Sequence, residues 1–76
     1  MLTESKIKET ISGFLKLPAD KLQDEAVLTD LVHESFVLVE MVMFLQDEFH
    51  VRIIQQDLRN VRTMGELIKV FQAKSA

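Results

Sequence analysis

Fifteen residues, Ser35 to Phe49 (SFVLVEMVMFLQDEF), constrain this chain more than any other stretch. Leu38, Met41, Val42, Leu45 and Phe49 recur three and four residues apart, which places them on one side of a helix. An apolar stripe of that kind must be buried, and two other stretches offer matching ones. Ile7, Ile11, Phe14 and Leu15 predict a first helix from Thr3 to Leu15, with Thr3 as its N-cap and Pro18 blocking continuation. Leu67, Ile68 and Phe71 predict a last helix, opened by Thr63-Met64-Gly65-Glu66 in the pattern of a capping box and fraying at Lys74-Ser75-Ala76. A short helical turn is expected over Gln55 to Asn60, with Leu58 facing inward. Only Val51-Arg52-Ile53 alternates like a strand, and it is too short to pair alone. The expected fold is all-α, a four-helix bundle of three longer helices and one short one.

Seventy-six residues suffice for one domain, 1–76, and the 47% of hydrophobic residues allow it a modest core. There is no cysteine, so neither a disulfide nor a thiolate metal site supports that core. His33 and His50 stand seventeen residues apart without a third ligand, so no metal site is expected. His50 is instead placed to cap the carboxyl end of the Ser35–Phe49 helix. The start, MLTESKIKET, lacks an apolar signal region, and no apolar run approaches the roughly 20 residues of a membrane span. A soluble, cytoplasmic protein with no membrane partner is expected.

The net charge of −3 is unevenly spread: Leu22 to Val51 holds seven acidic residues and no Lys or Arg, while all nine basic residues lie outside. Phosphate repels such a surface, which argues against nucleic acid, whereas a basic partner protein would be steered towards it. The same charges would also serve plain solvation.

Between the first two long helices, residues 16–34 form a connection of 19 residues, against roughly 4–6 for an ordinary loop. Leu22, Val27, Leu28 and Leu31 can pin it to the core. What it delivers is Ser35, at the start of the strongest helix. Three roles are open to that serine. It can be the helix N-cap, accepting from first-turn amides. It can be a nucleophile with His33 and Glu34, although sequence neighbours rarely reach one another and no Gly-x-Ser-x-Gly turn is present. It can be an attachment point, because a phosphoester there would meet free amides and the positive end of the helix dipole.

The residues around Ser35 resemble the acyl carrier protein family, whose attachment motif Asp-Ser-Leu sits within D-L-G-x-D-S-L-x-x-V-E-L-V-M-x-L-E-E-E-F. Here the stretch from Asp30 reads DLVHESFVLVEMVMFLQDEF. Val51-Arg52-Ile53 is similar to the family's x-I-x-I, and Val61 to Leu67 to its I-x-T-V-G-D-x. With the first helix and the long loop between helices one and two, the resemblance spans essentially the whole chain. It implies an acyl-carrier-like bundle that is not itself an enzyme. It also implies 4′-phosphopantetheine, covalent on Ser35, installed from coenzyme A by a phosphopantetheinyl transferase.

Acyl groups would ride as thioesters on that arm and be presented to acyl-loading and acyl-processing enzymes by a monomeric carrier. Partner recognition would fall to Glu34, Phe36, Val39, Glu40, Met43 and Asp47. Several positions depart from the family pattern. Glu34 replaces Asp, Phe36 replaces Leu, Val32-His33 replaces a Gly-containing turn, and Val37 stands where fatty-acid carriers often have an acid. The Gly-Gly that usually precedes the modified serine of peptidyl carriers is missing. These departures favour a discrete carrier of a specialised, polyketide-like or other secondary pathway, with fatty-acid synthesis as the second possibility. The alternatives are an aminoacyl carrier or an unmodified, carrier-like interaction subunit.

Overall fold

A computed structural model of the chain describes residues 2–75. The three expected long helices are present as α1 (Glu4–Leu15), α3 (Ser35–Phe49) and α4 (Met64–Ser75), and the expected short one as a 3₁₀ turn at Gln55–Leu58; a 3₁₀ turn at Ala19–Lys21 and a single helical turn, α2 (Leu28–Leu31), were not expected. Among the described residues the only β pairing is an isolated bridge between Val27 and Thr63.

Thr3 caps α1 as its sequence predicts, its Oγ1 accepting from the Lys6 N–H at 3.2 Å. The helix stops before Pro18 has any say. Lys16 turns left-handed at φ 58°, and the Ser12 carbonyl accepts from both Lys16 and Leu17. α3 ends in the same way. His50 adopts φ 55°, and the Gln46 carbonyl accepts from His50 and Val51. Both ends combine the 5→1 bond of an αL cap with the 6→1 bond of a Schellman motif, without the usual glycine. His50 therefore closes α3 through its backbone conformation.

Eight side chains from the three long helices meet in the middle: Ile7, Ile11, Met41, Leu45, Met64, Leu67, Ile68 and Phe71, each at most 2% exposed. Burying a side chain of Leu45's size contributes about 1.5–3 kcal/mol, so these residues supply most of the driving force. The edges of the predicted α3 stripe, Leu38, Val42 and Phe49, are half-buried against this core. Phe14 stacks at a tilt on Phe44, ring centres 5.2 Å apart, joining α1 to the flank of α3.

The long connection corrects the expectation of an unstructured segment, since it contains the first 3₁₀ turn and the single turn of α2. Leu22 and Leu28 enter the core as expected, whereas Val27 is exposed and pins the loop through its backbone. Leu28 N–H donates to Arg62 O (2.9 Å), Met64 N–H to Ala26 O (2.9 Å) and Gly65 N–H to Asp24 O (3.0 Å). Gly65 is required by this approach: a Cβ there would lie 3.0 Å from Asp24 Cβ and 3.1 Å from its carbonyl oxygen.

Past α3 the chain runs extended, with Val51 and Ile53 buried and Arg52 exposed. The short third helix is a 3₁₀ turn ending at Leu58, not Asn60, and Leu58 packs on the core as predicted. Asp57 Oδ2 accepts from the Ile54 N–H at 3.0 Å and pairs with Lys74 Nζ at 3.3 Å. That pair, at a position expected to fray, lies within a helix that continues through Ser75; the expectation for Ala76 falls outside the described residues. Gln46 of α3 is half-buried. Its Oε1 accepts from the Ile53 N–H at 3.0 Å and latches the extended segment to the helix.

Candidate functional site

The capping box read from Thr63 to Glu66 is fully formed at the start of α4. Glu66 N–H donates to Thr63 Oγ1 (3.3 Å), while Glu66 Oε1 accepts from the Arg62 and Thr63 amides at 2.8 and 3.0 Å. Those two amide bonds hold the Glu66 carboxyl below its ordinary pKa, the Arg62 bond most strongly. Nothing comparable exists at the start of α3. Glu34, extended at φ −104° and ψ 120°, is the N-cap and makes no side-chain capping bond, and no acidic residue follows in the first turn.

Of the three roles open to Ser35 the cap is thereby excluded: Ser35 is the first helical residue, as the predicted helix has it, one position beyond where an N-cap must sit. Its side chain is exposed, so its hydroxyl faces solvent beside amides that no side chain satisfies. Uncapped amides and the positive end of a fifteen-residue helix dipole together favour an anion there. A phosphodiester on Ser35 fits this setting: it brings the charge that the bare helix start lacks. The triad reading finds no support, since neither His33 nor Glu34 makes a hydrogen bond to Ser35 and all three are exposed.

Beyond Ser35, the outward face of α3 is mixed. Phe36, Val39 and Met43 are 59%, 58% and 60% exposed, and Glu34, Glu40 and Asp47 are exposed as well. The structure thus brings all six expected recognition residues to the surface. Val37, named with them as a departure from the family pattern, is half-buried.

A feature the sequence does not announce lies one turn further along. An apolar cleft of about 140 Å³ opens beside α3, walled by Leu38, Val39 and Val42. Met41 and Leu67 reach it from the core, and Leu28, Leu58 and Val61 complete it from the loop segments. In sequence Leu28, Leu38, Met41, Val42, Leu58 and Leu67 read as ordinary core, and Val39 as a recognition residue; only the packing of α3 against residues 58–61 leaves space between them. No group of three or more His, Asp or Glu side chains that could hold a metal ion occurs among the described residues, and no helix there is long and apolar enough to cross a membrane.

Comparison with known proteins agrees with this geometry. The family described as phosphopantetheine attachment site matches residues 5–71. The acyl carrier protein of Thermotoga maritima is 32% identical over 71 residues, covering 92% of this chain and 88% of its own length. That of Buchnera aphidicola subsp. Schizaphis graminum is 32% identical over 73 residues, covering 95% and 92%. The acyl carrier protein of Chlamydia trachomatis serovar D is 32% identical over 75 residues, covering 97% of both chains. The chain belongs to the acyl carrier protein family, whose members carry a phosphopantetheine and act as carriers rather than as enzymes.

Proposed function

We propose that Ser35 is the residue that carries the phosphopantetheine, and that the chain holds acyl groups there for a series of partner enzymes. The observation that carries this reading is the exposed Ser35 hydroxyl at the uncapped amino end of α3, within the matched attachment region. In the loading reaction the Ser35 oxygen bonds to the nearer phosphorus of coenzyme A. The diphosphate bridge breaks, adenosine bisphosphate departs, and the hydroxyl proton passes to the transferase. Bound, the arm supplies a terminal thiol for thioester chemistry to a chain that has no cysteine.

The chain's own residues do the rest. The first-turn amides of α3 hold the phosphate, and the rigid helix fixes the root of the arm. Phe36, Val39, Met43, Glu40 and Asp47 present a surface on which apolar contact outweighs paired charge. That balance supports partners of a specialised acyl-processing pathway; the same reading takes the carrier as a monomer in the cytoplasm. The cleft beside Val39 offers shelter to an apolar cargo, since a cavity of about 150 Å³ elsewhere holds benzene.

Incubation with coenzyme A and a broad-specificity phosphopantetheinyl transferase tests the assignment. Intact mass should rise by one phosphopantetheine, and Ser35→Ala should remain unmodified. Modification of the Ala variant would move the site elsewhere.

A further inference from the structure

The apolar cleft beside α3 has a neighbour. Leu28, Leu38 and Val61 wall the cleft and also line a second, more open groove of about 410 Å³. Val27, Thr29 and Arg62 complete that groove, so the two spaces adjoin along three shared side chains and differ in chemistry. The first is bounded by apolar residues alone. The second includes an arginine and a threonine, Arg62 and Thr29, among its lining residues.

Resting on the carrier reading of Ser35, we propose that a cargo threaded through the cleft reaches this groove with its far end, and that Arg62 selects cargo bearing a terminal carboxylate. Leu38, which lines both spaces, and Val39, which lines the cleft, follow Ser35 by about one helical turn, so both spaces open close to the root of a chain tethered there. Arg62 is exposed, and no carboxylate among the described residues lies within ion-pairing distance of it. Glu66, the acid closest to it in sequence, feels its charge but has Oε1 committed to the backbone amides of Arg62 and Thr63.

The backbone at this mouth is satisfied too, Leu28 N–H donating to Arg62 O at 2.9 Å. The planar fork of an arginine matches a carboxylate in two parallel bonds, which a methyl-ended chain cannot offer. Because the site is open to water, the gain is modest, about two- to fivefold in occupancy of the groove.

The test loads Ser35 from the coenzyme A thioesters of octanoic acid and of its dicarboxylic counterpart, octanedioic acid. Cleavage of each thioester by hydroxylamine is measured relative to the same thioester on free coenzyme A. The dicarboxylic cargo should be protected about two- to fivefold more than the octanoyl cargo, and the amides of Thr29 and Arg62 should shift in its NMR spectrum only. Arg62→Gln should remove the difference, while Arg59→Gln, an equal change of charge on another exposed arginine, should leave it. Equal protection of the two cargoes, or a difference that survives Arg62→Gln, overturns the proposal. Failure of Ser35 to accept either arm would refute the carrier reading itself, and this inference would fall with it.

Discussion

The amino ends of α3 and α4 are built from the same backbone and finished in opposite ways. α4 begins with its amides satisfied: Thr63 and Glu66 exchange bonds, Glu66 takes a second amide from Arg62, and Gly65 lets the long loop close over the turn. α3 begins with no side-chain cap, no acid in its first turn and an exposed serine. A helix start costs stability when its amides go unsatisfied, so leaving one bare is reasonable only where an anion will arrive. The finished end serves the fold, and the unfinished end is where we propose that the arm attaches.

The largest effect that would sharpen this contrast is expected at Gly65. Gly65→Ala drives a methyl against the Asp24 carbonyl, so a loss of about 1–3 kcal/mol is expected in urea unfolding. Gly13 is the control, because no heavy atom lies within 4 Å of the position a Cβ would take there. Gly13→Ala should stabilise α1 by about 0.5–1 kcal/mol. Equal responses at the two glycines would mean that the loop does not press on the start of α4.

Thr63→Ala should follow, at about 1 kcal/mol, from the loss of a single capping bond. Acid should act on the same end of the molecule. Glu66 is held below its ordinary pKa by the Arg62 and Thr63 amides, and Asp57 chiefly by the Ile54 amide and then by Lys74. Groups depressed in the folded state add stability that is complete above the ordinary carboxylate value, about 4, and is lost as pH falls through the lower folded value. A profile of unfolding free energy against pH should therefore fall on the acid side, and Glu66→Gln should flatten that fall. An unchanged profile in the variant would place the acid sensitivity elsewhere.

The smallest effect should come from Ser35→Ala. With no capping bond to lose, its stability should stay within about 0.5 kcal/mol of the parent, although on the proposed assignment it should no longer accept the arm. A loss of about 1 kcal/mol or more would show that Ser35 caps α3 after all and would break the comparison.

The contrast also marks what could be read from the chain beforehand. The cap at Thr63 and Glu66 was legible because both partners lie within four residues, as were the buried stripes of Ile7, Met41, Leu45 and Phe71. The start of α3 at Ser35 was legible, whereas the cap role stayed open, because a serine before a helix looks the same at the cap and just inside it. The single turn of α2 was not legible: its first residue, Leu28, is held by the Arg62 carbonyl from the far end of the chain. The latch formed by Gln46 was hidden for a similar reason, since its partner Ile53 comes within reach only after His50 reverses the backbone. The cleft is a gap between packed elements, and a gap has no residue of its own to announce it.

The Gln46 latch has a consequence for exchange of backbone hydrogens with solvent. Ile53 lies in no helix or strand, yet its amide is held by a side chain rooted in the longest helix of the molecule. Its exchange should be as slow as that of the last turn of α3, and Gln46→Ala should release it selectively. The amides of Asp57 and Val61, held only by the short-range bonds of their own turn, should exchange sooner. Two adjoining stretches of irregular chain would then run on separate clocks, with the outer wall of the cleft opening many times for each release of the latch behind it.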